Sequence, residues 1–251
     1  MKEILEEKKL FEEVSQIVVK HLDECVAMRK IIAKSSDASA NLLDVLAKDE
    51  NWEVRLSVAE NPNTSTDTLD KLADDDSGDV VVAVANNSNT SSKTLAKLAE
   101  DDDWQIREAV AYNSNISVET LDKLADDEDS DVVVAVANNS NASSKMLAKL
   151  AKHDVWEVRE GVASRDNADA ETLAMLAEDE DTDVRYAVAQ HPNTTAEALD
   201  KLAEDADPDV RMAVAENSNT SSKTLEKLTK DEYLDIRIAA ERMLNMPEDD
   251  K

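Results

Sequence analysis

Residues Asp79–Asp102 read DVVVAVANNSNTSSKTLAKLAEDD, and Asp131–Asp154 repeat them almost letter for letter as DVVVAVANNSNASSKMLAKLAKHD, 52 positions further on. The underlying period is half that. Val54, Val80, Ile106, Val132, Val158, Val184, Val210 and Ile236 stand 26 residues apart. Leu43, Leu69, Leu95, Leu121, Leu147, Leu173, Leu199 and Leu225 keep the same step, each followed three residues later by a second leucine. A third register holds Ala33, Ala59, Ala85, Ala111, Ala137, Ala163, Ala189 and Ala215. A strict period of this length over so many copies is the signature of stacked helical repeats.

Each copy reads as two short helices. In the first, Val54, Ser57 and Val58 share a face at i, i+3 and i+4, and small Ala59 lets a neighbour approach. In the second, Leu69, Leu72 and Ala73 form the apolar stripe. Its start carries a capping residue in every copy: Ser39, Ser65, Ser91, Ser117, Ser143, Asp169, Thr195 and Ser221. Such a side chain accepts a bond from the open first turn, worth ~1 kcal/mol. One copy cannot fold by itself. Its four large aliphatics contribute roughly 6–12 kcal/mol on burial, against ~1–2 kcal/mol for ordering each of about 26 backbones. Only stacking, with every face shared between neighbours, stabilises the array.

The expected fold is therefore all-α, a solenoid of about eight two-helix repeats with helical caps. Residues 1–28 supply an N-terminal capping helix whose stripe runs Ile4, Phe11, Val14, Val18, Leu22 and Cys25, with Cys25 a buried small apolar residue. Residues 29–231 form the repeat array. Residues 232–251 hold a C-terminal capping helix, which replaces the Asn turn and stops near Pro247, followed by a tail.

The chain carries 57 acids against 28 bases, a net charge of −29. A field of that sign repels phosphate backbones and anionic lipid, so neither nucleic acid nor membrane is the expected partner. A basic protein or peptide surface is. The N-terminus is charged throughout, without an apolar signal core, and no apolar run approaches the ~20 residues of a membrane span. A cytoplasmic monomer is the expectation. With Cys25 as the only cysteine, neither an internal disulfide nor a cysteine-cluster metal site can form within one chain. His21, His153 and His191 lie far apart in the array, and no Gly-rich phosphate loop or nucleophile elbow is present. Neither a cofactor nor an enzymatic activity is expected.

Two stretches, VRLSVAENPNTSTDTLDKLADD (54–75) and VRYAVAQHPNTTAEALDKLAED (184–205), resemble the repeat of the leucine-rich repeat variant family. The likeness covers about residues 29–240. It implies alternating α- and 3₁₀-helices wound into a right-handed superhelix without β-sheet. Some members of that family carry an N-terminal cysteine cluster holding an iron–sulfur centre. Cys25 has no companions here, so that feature does not carry over. A metal- or cofactor-assembly accessory role survives only as an alternative by family analogy.

The near-identity at twice the period points to function. Residues 78–102 match the segment 52 further on at 20 of 25 positions, but the adjacent copy at only 13 of 25. Repeats therefore come in pairs, as duplication of a two-repeat block would leave them. Trp52, Trp104 and Trp156 alternate with Gly78 and Ser130, while Arg55, Arg107 and Arg159 alternate with Val81 and Val133. Placed at 100° per residue, the arc opposite the buried centre of the first helix holds Trp52, Leu56, Glu60, Val82, Trp104, Glu108, Tyr112, Val134, Trp156, Glu160, Tyr186 and Met212. Interior positions barely change between copies. This arc varies, and it holds all three tryptophans and two of the three tyrosines. Exposed aromatics are enriched at binding hot spots, so the arc is the expected face for a protein or extended peptide. The competing expectation is that each Trp covers its neighbour's core across the inter-repeat loop.

Four further expectations concern the surface. Asn63, Asn89, Asn115, Asn141, Asn167, Asn193 and Asn219 form a turn ladder suited to left-handed backbone, or else grip a bound peptide. The acidic junctions DDDSGD (74–79), DDEDSD (126–131) and EDEDTD (178–183) cap the next helix and lack the glycine of a calcium loop. Arg55, Arg107, Arg159, Arg185, Arg211 and Arg237 pair with those acids as screened surface pairs worth ~0–1 kcal/mol. Lys71, Lys123 and Lys201 pair within their own helix with Asp67, Glu119 and Glu197.

Overall fold

The computed structural model describes residues 25–246, so the stripe from Ile4 to Leu22 and the tail from Pro247 lie outside the described residues. Within them are 17 helices and no strand. The first helices of successive repeats are α1 (Val26–Lys34), α3 (Trp52–Ala59), α5 (Gly78–Asn86), α7 (Trp104–Tyr112), α9 (Ser130–Asn138), α11 (Trp156–Ala163), α13 (Thr182–Gln190), α15 (Pro208–Glu216) and α17 (Leu234–Asn245). The second helices are α2 (Ala40–Leu46), α4 (Thr66–Leu72), α6 (Ser92–Leu98), α8 (Val118–Leu124), α10 (Ser144–Leu150), α12 (Ala170–Leu176), α14 (Ala196–Leu202) and α16 (Ser222–Leu228). Helix α1 crosses the boundary expected at residue 28 and occupies the place of a repeat's first helix.

Every expected cap is made. The side chains of Ser39, Ser65, Ser91, Ser117, Ser143, Asp169, Thr195 and Ser221 each accept the backbone N–H three residues on. The second helices are α-helical, with the Leu69 N–H bonded to the Ser65 carbonyl and the Ala73 N–H to that of Leu69. Strong capping and a Leu-x-x-Leu-Ala stripe hold the full i to i+4 ladder where the family resemblance implied a 3₁₀-helix. The three sequence registers are the core: the Ala33 to Ala215 series is 0% exposed and the Val54 to Ile236 series 0–4%.

The described residues fall into two compact units. One runs to Ala135 and includes Asn139–Asn141; the other comprises Val136–Asn138 and the described residues from Ala142 on. In the first, α1, α3, α5 and α7 pack in succession, with α2, α4 and α6 each wedged between neighbouring first helices. In the second, α11, α13, α15 and α17 do the same around α12, α14 and α16. Each unit is thus an all-α stack of two-helix repeats, the solenoid arrangement expected from the periodicity.

Two amide ladders tie the repeats together. The inner one was missed in the sequence. Asn87 donates from Nδ2 to the carbonyls of Ala59 (2.7 Å) and Asn61 (3.1 Å) in the repeat before it, while its Oδ1 accepts the Asn89 N–H (2.9 Å). Asn61, Asn113, Asn139 and Asn217 repeat the pattern, all buried. His191 takes the same place, its Nε2 meeting the Arg165 carbonyl and its Nδ1 accepting the Asn193 N–H. The outer ladder is the Asn63 series. Asn89, for example, donates to the carbonyls of Pro62 (2.7 Å) and Thr64 (3.0 Å). These amides are engaged within the protein, and the left-handed backbone expected at them is not used: no described residue other than glycine has positive φ. Asparagine stands here for its amide, which satisfies carbonyls that would otherwise be buried unpaired.

The arginines also depart from expectation. Arg107 Nε donates to Asp127 Oδ2 (2.7 Å) and Nη2 to Oδ1 (2.9 Å), while Nη1 reaches the carbonyls of Asp101 and Asp102. Arg55–Asp75, Arg159–Asp179, Arg185–Asp205 and Arg211–Asp231 are built alike, and Arg29–Asp49 adds a sixth fork. Both side chains of the Arg107 pair are at most 10% exposed, so these are enclosed, two-pronged pairs, which are stronger and more geometrically specific than screened surface ones. Lys71 and Lys201 reach across repeats to Asp44 and Glu178 instead of pairing along their own helix, and Lys123 likewise lies 3.9 Å from Glu100. Cys25, expected to be buried, is only half-buried at the start of α1.

One rung is irregular. At the inner-ladder position Arg165 replaces Asn, and its Nε is buried without a partner. Beside it, Gly161 occupies a position where an added Cβ would sit 3.2 Å from Ala137 Cβ, so the backbone approach there admits no larger residue without a shift.

Candidate functional site

The expected face is built from the outward sides of the first helices, held in register by the ladders behind them. In the first unit, Trp52 and Trp104 each open a first helix, 42% and 37% exposed, and Tyr112 closes α7 at 51%. Leu56, Val82, Glu108 and Val134 are half-buried between them, and Glu60 is exposed. In the second unit, Trp156 is 38% and Tyr186 37% exposed, with Glu160 and Met212 half-buried. Each tryptophan residue is therefore more than a third exposed, while the rest of its surface is covered by the protein. The same surface continues onto α17, where Leu234 and Ile238 stand at the Trp52 and Leu56 positions, 59% and 53% exposed.

On the second helices Lys97 and Lys227 join Lys71 and Lys201 in meeting an acid of the preceding repeat. At the junctions burial opposes ionisation of Asp127, but the Arg107 guanidinium and the Asp129 N–H outweigh it and hold the carboxyl below the ordinary range. Asp179 and Asp205 follow the same balance, and at Asp231 the Arg211 guanidinium is itself the leading cause. Junction acids also cap first helices, as at Asp103, Asp181 and Asp207.

Among the described residues, the ion pairs on the first-helix face lie at its ends: Lys30 near Glu53 (3.2 Å), Lys34 near Glu60 (3.6 Å) and Arg242 near Glu216 (3.4 Å). Asp79, Glu108 and Asp131 in the first unit, and Glu157, Asp183 and Asp209 in the second, form no ion pair among the described residues. Desolvation raises the Glu108 carboxyl above its ordinary value, and Asp131 and Asp129 raise it further. Burial, Glu108 and Asp131 do the same to the Tyr112 hydroxyl.

Described residues of the face line two concavities of different size. Between α3 and α5, Leu56, Ala59, Val82 and Ala83 floor a groove of about 460 Å³ rimmed by Glu60, Asp79, Asn86 and Asn87. In the second unit Thr182, Asp183, Tyr186, Asp207 and Asp209 line a smaller one of about 180 Å³. The acids at the second position of the first helices, Asp79, Asp131, Asp183 and Asp209, were absent from the expected site, although they recur in step with the 26-residue period. His153 and His191 serve as backbone acceptors for Val155 and Asn193. Among the described residues no three His, Cys, Asp or Glu side chains group to hold a metal, and no described helix is long and apolar enough to cross a membrane.

Fold and surface together define a repeat-built, all-α protein with a variable outer face on a constant frame. The sequence model of the leucine-rich repeat variant matches residues 52–77, 104–129 and 156–181, the three repeats that begin with tryptophan. A solved leucine-rich repeat variant with a novel repetitive structural motif is 25% identical and superposes with a TM-score of 0.65 over 88% of this chain and 90% of that one. In three of its repeats, and in its fold, the chain is thus similar to the leucine-rich repeat variant. Looser overlaps, which carry no weight for function, are with an engineered protein (16% identity, TM-score 0.45, 91% of this chain and 87% of that one) and with YibA of E. coli (16% identity, TM-score 0.47, 96% and 97%). No curated protein matches at the sequence level.

Proposed function

We propose that the protein is an interaction scaffold whose first-helix face binds a basic protein or peptide segment. The observation that carries this reading is the set of carboxylates without counter-ions, Asp79, Glu108 and Asp131 among them, standing around half-exposed indoles. Crowded like charges are relieved when a partner supplies cations, and amphipathic aromatic surface supplies contact area at small entropic cost. On the second helices Lys71, Lys97, Lys201 and Lys227 already meet acids of the preceding repeat, whereas the first-helix carboxylates named above have no such cation beside them. Stacked repeats suit such a role because the frame is fixed by ladders and buried leucines while the outward positions are free to differ.

Hydrogen exchange with and without a short lysine-rich peptide tests the reading. Slowed exchange confined to residues 52–60, 78–86 and 104–112 of the first unit, and weakening with added salt, is the expected result. Protection spread equally over the second helices, or none at all, would overturn it.

A further inference from the structure

Resting on that reading, we propose that the groove between α3 and α5 seats one aliphatic side chain of the basic partner, with a lysine or arginine beside it in the partner's sequence pairing with Asp79. In this groove an apolar floor and an unpaired charge coincide. Its floor is aliphatic, from Leu56, Ala59, Val82 and Ala83, and Asp79 stands on its rim without a cation. Glu60, on the opposite rim, is already near Lys34 at 3.6 Å.

The repeat explains why the groove lies here. Leu56 and Val82 hold equivalent positions in successive first helices, and both are aliphatic. The next repeat carries Glu108 at that position, and later ones carry Val134, Glu160, Tyr186 and Met212. The partner position one turn on is Glu60, Asn86 and then Tyr112, so the next repeat meets solvent with a carboxylate and a phenol where this one has hydrocarbon. Wet hydrocarbon in a concavity with a polar rim is the usual form of a pocket for a single apolar anchor. The unpaired rim acid selects an anchor with a cationic neighbour over a neutral or acidic segment.

The test uses the full chain and two synthetic probes, a short lysine-rich peptide with one central leucine and the same peptide with serine there. Binding is followed by tryptophan emission and by calorimetry. The leucine peptide is expected to bind about tenfold tighter than the serine peptide. That preference should vanish in the double variant Leu56→Gln, Val82→Gln, while the serine peptide binds as before. Polar residues are compatible with the fold at this position, since Glu108 and Glu160 occupy it in other repeats, and a thermal melt checks it. Asp79→Asn should weaken both peptides and leave their ratio unchanged. Equal binding of both peptides to the unmodified protein would overturn the anchor site and leave the charge-driven reading standing. Failure of both to bind any better than an acidic control would overturn both.

Discussion

The junctions and the first-helix face are both acidic, yet they hold their charge in opposite ways. At the junctions Asp75, Asp127, Asp179, Asp205 and Asp231 are each clamped by an arginine twenty residues before them and by the N–H two residues after. On the face Asp79, Glu108 and Asp131 have no such partner. A net charge of −29 is therefore unevenly borne. Where arginine clamps the charge it closes the frame; on the first-helix face it is left open beside half-exposed aromatics.

The sharpest way to break this contrast is to open a junction. Arg107→Met strands Asp127 in a nearly enclosed site and should cost about 3 kcal/mol in urea unfolding, the range found for removing one partner of a buried pair. The double variant with Asp127→Asn should recover most of the loss, because Val81 already stands at the arginine position of its own repeat. The pH dependence follows. Asp127, Asp179, Asp205 and Asp231 have folded values below their unfolded ones. Their stabilisation is present above the ordinary carboxylate value of about 4 and is lost as pH falls through the lower, folded value. Arg107→Met should flatten part of that acid slope.

Opening a rung of the inner ladder comes next. Asn87→Ala leaves the carbonyls of Ala59 and Asn61 buried without their amide and should cost roughly 2 kcal/mol. The reverse change is available at the irregular rung. Arg165→Asn removes a buried unpaired Nε and should stabilise by about 1 kcal/mol in the same assay. A loss of stability instead would show that the arginine's other contact, to the Asn138 carbonyl, outweighs the defect.

The smallest effect belongs to the face. Glu108 has its folded value raised above the ordinary one, so it is neutral toward folding at low pH, where both states are protonated, and opposes folding as pH rises through the ordinary value toward the folded one. Glu108→Gln should therefore raise the melting temperature slightly at pH 7, by less than about 1 kcal/mol in stability, and leave it unchanged near pH 3. Small stabilisation on neutralising the face, against large destabilisation on opening a junction, is the contrast in thermodynamic form.

Much of the frame was legible from residues alone because it repeats. The Leu69 and Ala59 registers and the Ser65-type caps are local features, and each copy restates them. The inner amide ladder was not read, although Asn61, Asn87, Asn113 and Asn139 recur in step, because an asparagine's bonds to a neighbouring repeat depend on how the copies pack. The lysines were assigned partners one turn away for the same reason: sequence spacing shows Asp67 beside Lys71, whereas stacking brings Asp44 closer. Trp52, Trp104 and Trp156 were placed correctly on the outward arc by helical periodicity. Asp79 and Asp131 went unremarked there because, in a chain this acidic, an unpaired carboxylate looks like any other until the cations are located.

The most direct test neutralises the same number of acids on each side of the first unit. One variant carries Asp79→Asn, Glu108→Gln and Asp131→Asn on the first helices. The other carries Asp67→Asn, Glu119→Gln and Asp122→Asn on the second helices, for an identical change in net charge. Affinity for a lysine-rich peptide, measured by calorimetry at low salt, is expected to fall at least tenfold in the first variant and to change less than about twofold in the second. An equal loss in both would mean that overall charge alone attracts the peptide, and would contradict a dedicated face.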